Sequence, residues 1–165
     1  MDIYQFAMQM EKDGENYYRQ LAREATVPGL AKIFTMLADE EVKHYQMVGK
    51  LAQQESNPQL ADTRIMNNVK NVFQEMREEK GELSIDTTAA SNSYRKACEI
   101  EAQSGKFYHE KAEQAADEHQ RQILLQLAGE EAQHLRIMEN ILEFVSRPEP
   151  GKWLEDAEWY HLEEY

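Results

Sequence analysis

Residues 7–44 of this 165-residue chain are echoed by residues 97–134 at a constant offset of 90, without a gap. Ala7-Met8-Gln9-Met10-Glu11 sits over Ala97-Cys98-Glu99-Ile100-Glu101, and Tyr17-Tyr18 over Phe107-Tyr108. Ala22 falls on Ala112, Leu37-Ala38 on Leu127-Ala128, Glu40-Glu41 on Glu130-Glu131, and His44 on His134. Duplication of this kind means two copies of one supersecondary unit that bury their apolar faces together. The punctuation says what the unit is. Pro28-Gly29 breaks a first helical run, Ser56-Asn57-Pro58 ends a second, and a break near Asp117 separates two more. Pro148, Glu149, Pro150 and Gly151 stop the last one. The four segments, about 2–26, 29–54, 87–116 and 118–146, are each roughly 35–45 Å long at about 1.5 Å per residue. Short turns make the members of each pair antiparallel neighbours, so the expectation is an all-α four-helix bundle of two repeated hairpins.

Apolar periodicity agrees. Phe34, Leu37, Ala38, Tyr45, Val48, Leu51 and Ala52 form one stripe in the second segment. Leu124, Leu127, Ala128, Leu135, Met138, Ile141, Leu142 and Val145 form another in the fourth. Between the copies, Glu55 to Asp86 is too long for a turn and has its own amphipathic pattern in Ile65, Val69, Val72, Phe73 and Met76. This predicts a long crossover with a helix over about 60–79 and a loop over Gly81 to Asp86. The bundle then spans 1–146, followed by an aromatic tail over 147–165 carrying Trp153, Leu154, Trp159, Tyr160, Leu162 and Tyr165. That tail either caps its own bundle or makes a subunit contact.

Charge and cysteine content narrow the function classes. With 18 Lys and Arg against 31 Asp and Glu, the net charge is −13. This argues against nucleic acid and against anionic membrane surfaces, both of which need a cationic footprint. One cysteine, Cys98, excludes an intramolecular disulfide and a four-cysteine metal site within the chain. No run of 18 apolar residues occurs, so no membrane span is expected. Met1-Asp2-Ile3-Tyr4 lacks the basic and apolar succession of a secretory signal, and a cytoplasmic location is the expectation.

The repeat also carries chemistry. Each copy supplies a lone Glu on its first helix and Glu-x-x-His on its second: Glu11 with Glu41 and His44, Glu101 with Glu131 and His134. Residues three apart share a helix face, so carboxylate and imidazole can converge on one ion. Glu41 follows Leu37 and Ala38 by four and three residues, and Glu131 follows Leu127 and Ala128 likewise, so both point into the apolar stripe. Four carboxylates in one bundle core demand neutralising cations. Two divalent ions balance them, and two imidazoles complete a nitrogen–oxygen set suited to iron or manganese. Without metal, crowding and burial predict that all four carboxyls titrate above their usual range. Tyr18 and Tyr108, two turns after Glu11 and Glu101, are either hydrogen-bond donors to these carboxylates or aromatic core. Glu40 and Glu130 read as surface members of acidic runs, and Glu15, opposite Gly105 in the repeat, falls outside the ligand set. Cys98 reads as a small buried apolar residue, and His109, His119 and His161 as surface residues.

The matching text is Met10-Glu11-Lys12-Asp13-Gly14 with Tyr17-Tyr18, then Leu37-Ala38-Asp39-Glu40-Glu41 to His44. Its echo is Glu101 to Tyr108 and Leu127-Ala128-Gly129-Glu130-Glu131 to His134. Over about residues 1–146 this resembles the rubrerythrin branch of the ferritin-like superfamily. The resemblance implies a ferritin-like bundle and two iron ions held by Glu11, Glu41, His44, Glu101, Glu131 and His134, with manganese or zinc as alternative occupants. It also implies reaction with hydrogen peroxide or dioxygen, and a homodimer. Two departures stand out. Full rubrerythrins append a rubredoxin module with four cysteines, so here electrons must come from a separate donor such as a rubredoxin-like protein. Typical members also place a further Glu one turn after the third-helix ligand, where this chain has Ser104, with Gly14 opposite in the repeat. The expected function is a di-iron oxidoreductase reducing hydrogen peroxide. The alternatives are a ferroxidase or iron-handling protein using dioxygen, and a metal-stabilised interaction module.

Overall fold

The computed structural model describes residues 2–78 and 87–145. Helix α1 spans Ile3–Glu24, α2 Pro28–Ala52, α3 Ile65–Glu78, α4 Thr87–Gln114 and α5 Glu118–Val145. The helix ends follow local chemistry. Asp2 caps α1 through a reciprocal pair with Gln5, and Pro28 opens α2 where its missing N–H costs nothing. Gln54 and Asn57 take positive φ of 54° and 60° in the turn after α2, and Asp117 accepts from the Gln120 N–H at the start of α5. These bounds agree with the four expected segments to within two or three residues.

The crossover helix begins at Ile65 rather than near 60. Residues 55–64 run non-helically over the bundle, where their polar groups bond side chains of α2 and α5. His119 meets the Pro58 carbonyl at 2.8 Å, the Gln126 amide donates to the Leu60 carbonyl at 3.0 Å, and Thr63 bonds Glu40. The apolar pattern of α3 then starts where the helix does: Ile65, Val69, Val72, Phe73 and Met76 are all buried. A Cβ on Gly29 would come within 2.2 Å of the Met76 sulfur, so the glycine admits α3 against the start of α2. The loop expected at 81–86 and the aromatic tail lie outside the described residues, as does His161.

Two apolar clusters fill the bundle. One joins Tyr18, Leu21, Leu30, Phe34 and Leu37 to α3 and to Tyr94, Ile137, Met138 and Ile141. The other joins Ala7, Met47, Val48 and Leu51 to Tyr108, Ala112, Leu124 and Leu127. Tyr45 and Ala52 depart from the expected stripe and face outward, Tyr45 at 39% exposure. The inner face of α2 runs instead through Leu30, Phe34, Leu37, Glu41, His44, Val48 and Leu51; Tyr45 lies about 100° round from His44. Along every long helix a charged layer separates the two clusters: Glu11 on α1, Glu41 and His44 on α2, Glu101 on α4, Glu131 and His134 on α5. Among the described residues, no helix is long and apolar enough to cross a membrane.

Candidate metal centre

All six residues of this layer are buried, at 0 to 4% exposure. That figure decides against a solvated acidic face. Ligand atoms of Glu11, Glu41, His44 and Glu131 lie within 4.8 Å of one another, and those of Glu41, Glu101, Glu131 and His134 do likewise. Glu41 and Glu131 belong to both groups, so the second-helix carboxylate of each hairpin is shared, while Glu11 and Glu101 stand at opposite ends. The imidazoles stack nearly parallel, 9° apart with centroids 5.5 Å apart. Each turns Nδ1 towards the carboxylates: His44 to Glu131 at 3.0 Å, His134 to Glu41 at 3.1 Å. Each histidine thus meets the shared carboxylate of the other hairpin.

The two tyrosines are buried donors, and they too cross between the copies. Tyr18 donates to Glu101 Oε1 at 2.5 Å, and Tyr108 donates to Glu11. Burial and the surrounding carboxylates push both phenols well above their usual range, so the protons stay on the hydroxyls. Gly14 makes room for the shared carboxylate on its side, since a Cβ there would sit 3.3 Å from Glu41 Oε2.

Uniformly raised carboxyls, the expectation from crowding, are not what the geometry produces. Burial pushes Glu41 and Glu131 up and neighbouring carboxylates push them further, so both sit well above the carboxylate range. Burial also acts on Glu11, but the neighbouring Glu41 carboxyl and His44 imidazolium outweigh it and bring Glu11 down to about 2. Glu101 is lowered likewise by Glu131 and His134 against its own burial. Each hairpin therefore pairs a carboxyl that keeps its proton with a carboxylate that does not, as crowded like charges require. Burial disfavours the imidazolium, yet the carboxylates prevail: Glu131 and Glu11 lead at His44, Glu101 and Glu131 at His134, and both rings are raised well above the usual histidine value.

Three buried carboxylate oxygens, Glu11 Oε2, Glu101 Oε2 and Glu131 Oε2, have no hydrogen-bond partner. An unpaired buried oxygen is costly in an apolar core, and oxygens converging with two imidazole nitrogens are what hard and borderline divalent cations take. The donor set fits two metal ions.

Glu40 and Glu130 are not surface residues; both are 5% exposed. Glu130 Oε1 meets His44 Nε2 at 3.1 Å, and Glu40 bonds Thr63. Both recur at the 90-residue offset, which was the available signal, but a helix position next to an inward Glu projects about 100° away, and the partners that hold it come from other elements, His44 for Glu130 and Thr63 for Glu40. Cys98 is half-buried against the apolar core, and burial raises its thiol to about 11. His109 and His119 are exposed, as expected.

A helical bundle whose buried layer repeats a Glu and a Glu-x-x-His from each half is a carboxylate–histidine bundle of the dinuclear kind. Residues 2–96 match the sequence model of the rubrerythrin family, and the chain belongs to that ferritin-like di-iron family. Comparisons with curated proteins and with solved structures give no match.

Proposed function

We propose that this chain is a di-iron oxidoreductase that reduces hydrogen peroxide with electrons from a separate donor. Glu11, Glu41, His44, Glu101, Glu131 and His134 would hold the two ions. The observation that carries this reading is the sharing of Glu41 and Glu131 between the two ligand groups. Two ions held by these overlapping groups would, as ferrous iron, supply one electron each, and with two protons those two electrons take peroxide to two waters. Everything else is done by side chains. Glu11 and Glu101 are oriented by Tyr108 and Tyr18, which keep protons on their hydroxyl oxygens beside the reacting layer. The apolar clusters above and below exclude water. A groove of about 580 Å³ between α1 and α4 is lined by Met10 and Ile100, the chain neighbours of Glu11 and Glu101, together with Phe6, Ser104 and Phe107.

A second reading, a dioxygen-using ferroxidase, is favoured by one feature. With Ser104 and Gly14 in place of an additional carboxylate, the ligand set is the same on both sides. Anaerobic stopped-flow absorbance of the diferrous protein separates the two. Faster oxidation by peroxide than by dioxygen is the expected result, and Ser104→Glu should widen the preference. Faster oxidation by dioxygen would transfer the assignment to ferroxidase, and inertness to both would leave a metal-stabilised interaction module. A homodimer and a rubredoxin-like donor in the cytoplasm complete the proposal, and sedimentation together with reduction assays checks the first two.

A further inference from the structure

The two halves of the site are related by the repeat, and the repeat pairs Glu130 with His44 as it pairs Glu40 with His134. Only the first of these pairs forms. Glu130 Oε1 meets His44 Nε2 at 3.1 Å, whereas His134 Nε2 is buried without a hydrogen-bond partner. Glu40 is equally buried but is engaged elsewhere: it accepts from the Thr63 hydroxyl, and Lys43 lies 3.6 Å from its other oxygen.

The cause lies in the chain's topology. Two copies of a hairpin need one connection, and one connection cannot obey a twofold axis. Residues 55–64 run past both outer carboxylates and treat them differently. On one side the Gln126 amide bonds both the Leu60 carbonyl at 3.0 Å and Glu130 Oε2 at 3.2 Å, holding Glu130 on His44. The repeat counterpart of Gln126 is Met36, which donates nothing. On the other side Thr63 draws Glu40 onto the crossover.

We propose that the crossover makes the two metal positions unequal, with Glu130 a positioning residue for His44 and Thr63 withholding Glu40 from the same duty on His134. A carboxylate on the far nitrogen fixes the ring and raises its basicity, so the position served by His44 binds its ion more tightly. This rests on the dinuclear reading above.

The test uses the full chain and Co2+, which takes these ligands without being oxidised by air. Both stepwise constants are measured by chelator competition, followed by visible absorbance. Two adjacent cations repel, so two-step binding by itself decides nothing; the comparison of variants decides. Glu130→Ala should weaken one position about tenfold or more, and Glu130→Gln, which keeps the shape and a neutral acceptor, should weaken it less. Glu40→Ala should change neither constant by as much as about twofold. Thr63→Val frees Glu40 and should tighten the weaker position about tenfold. Thr63→Ser should restore the wild-type pattern, and adding Glu40→Ala to Thr63→Val should abolish the gain. Equal losses from Glu130→Ala and Glu40→Ala, or no tightening in Thr63→Val, would overturn the inequality and leave the dinuclear site standing. Fewer than two Co2+ per wild-type chain would overturn both.

Discussion

Loading this site with two divalent ions should expel four protons. In the metal-free protein the buried layer is neutral by its own means. Glu11 and Glu101 are held ionised, Glu41 and Glu131 are held protonated, and both imidazoles carry their extra proton. Ligation requires every carboxylate deprotonated and every imidazole neutral. The same net charge of zero returns once two dications replace four protons. The magnitude follows directly: below the raised pKa values, each proton displaced multiplies the apparent constant tenfold per pH unit. For the fully loaded chain this is about 5 kcal/mol per pH unit. Near pH 5.5, calorimetric titration with Zn2+ in buffers of differing ionisation enthalpy reads the proton number as a slope. Four protons, or close to it, is the expected result. Two would mean that only the histidines discharge, that Glu41 and Glu131 are already ionised without metal, and that the carboxyl–carboxylate pairs do not exist.

The same protonation pattern sets the stability of the metal-free protein. Glu41, Glu131, His44 and His134 have raised pKa values, so their contribution is complete at low pH and is lost as pH rises through those values. Glu11 and Glu101 are lowered, so theirs is lost as pH falls through those lowered values, about 2 for Glu11. Metal-free protein should therefore melt highest near pH 5–6 and lower on both sides. Glu41→Gln with Glu131→Gln should blunt the alkaline loss and prevent metal binding; an unchanged alkaline limb in calorimetry would contradict this. Tyr108→Phe strips a donor from ionised, buried Glu11 and should cost about 1.5–3 kcal/mol in denaturant melts without metal, and a loss under about 0.5 kcal/mol would count against that bond. Gly129→Ala, with open space around the new methyl, should add about 1 kcal/mol from helix propensity. Gly14→Ala presses on Glu41 Oε2 and should instead weaken zinc binding, a difference that titration of the two variants resolves.

The architecture of the long helices was legible because two independent periodicities agree. The 90-residue offset aligns the ligand types, and the three–four spacing phases Glu41 against Leu37 and Ala38, so inward carboxylates follow from helix geometry alone. Tyr45 was misplaced for a related reason. A stripe drawn through apolar residues ignores the polar ones that lie on the true inner face, and here Glu41 and His44 define that face. The start of α3 escaped because residues 60–64 are restrained by partners on other helices, Gln126 and Glu40, which no local pattern reveals.

Sequence by itself determined the parts: two hairpins, six buried ligand-type residues and two tyrosines at matching places. These follow from near-neighbour geometry along single helices, which the backbone dictates. Tertiary structure alone decided how the parts are joined. It chose Glu41 and Glu131 as the shared pair, sent each tyrosine to the other hairpin's Glu, and divided four chemically identical carboxyls into two that keep protons and two that do not. It also broke the twofold, giving His44 Nε2 a carboxylate and His134 Nε2 no hydrogen-bond partner. The physical reason is that sharing, hydrogen-bond crossing and electrostatic coupling depend on distances between helices. A repeat in sequence is symmetric, but the single strand of chain that joins its copies is not.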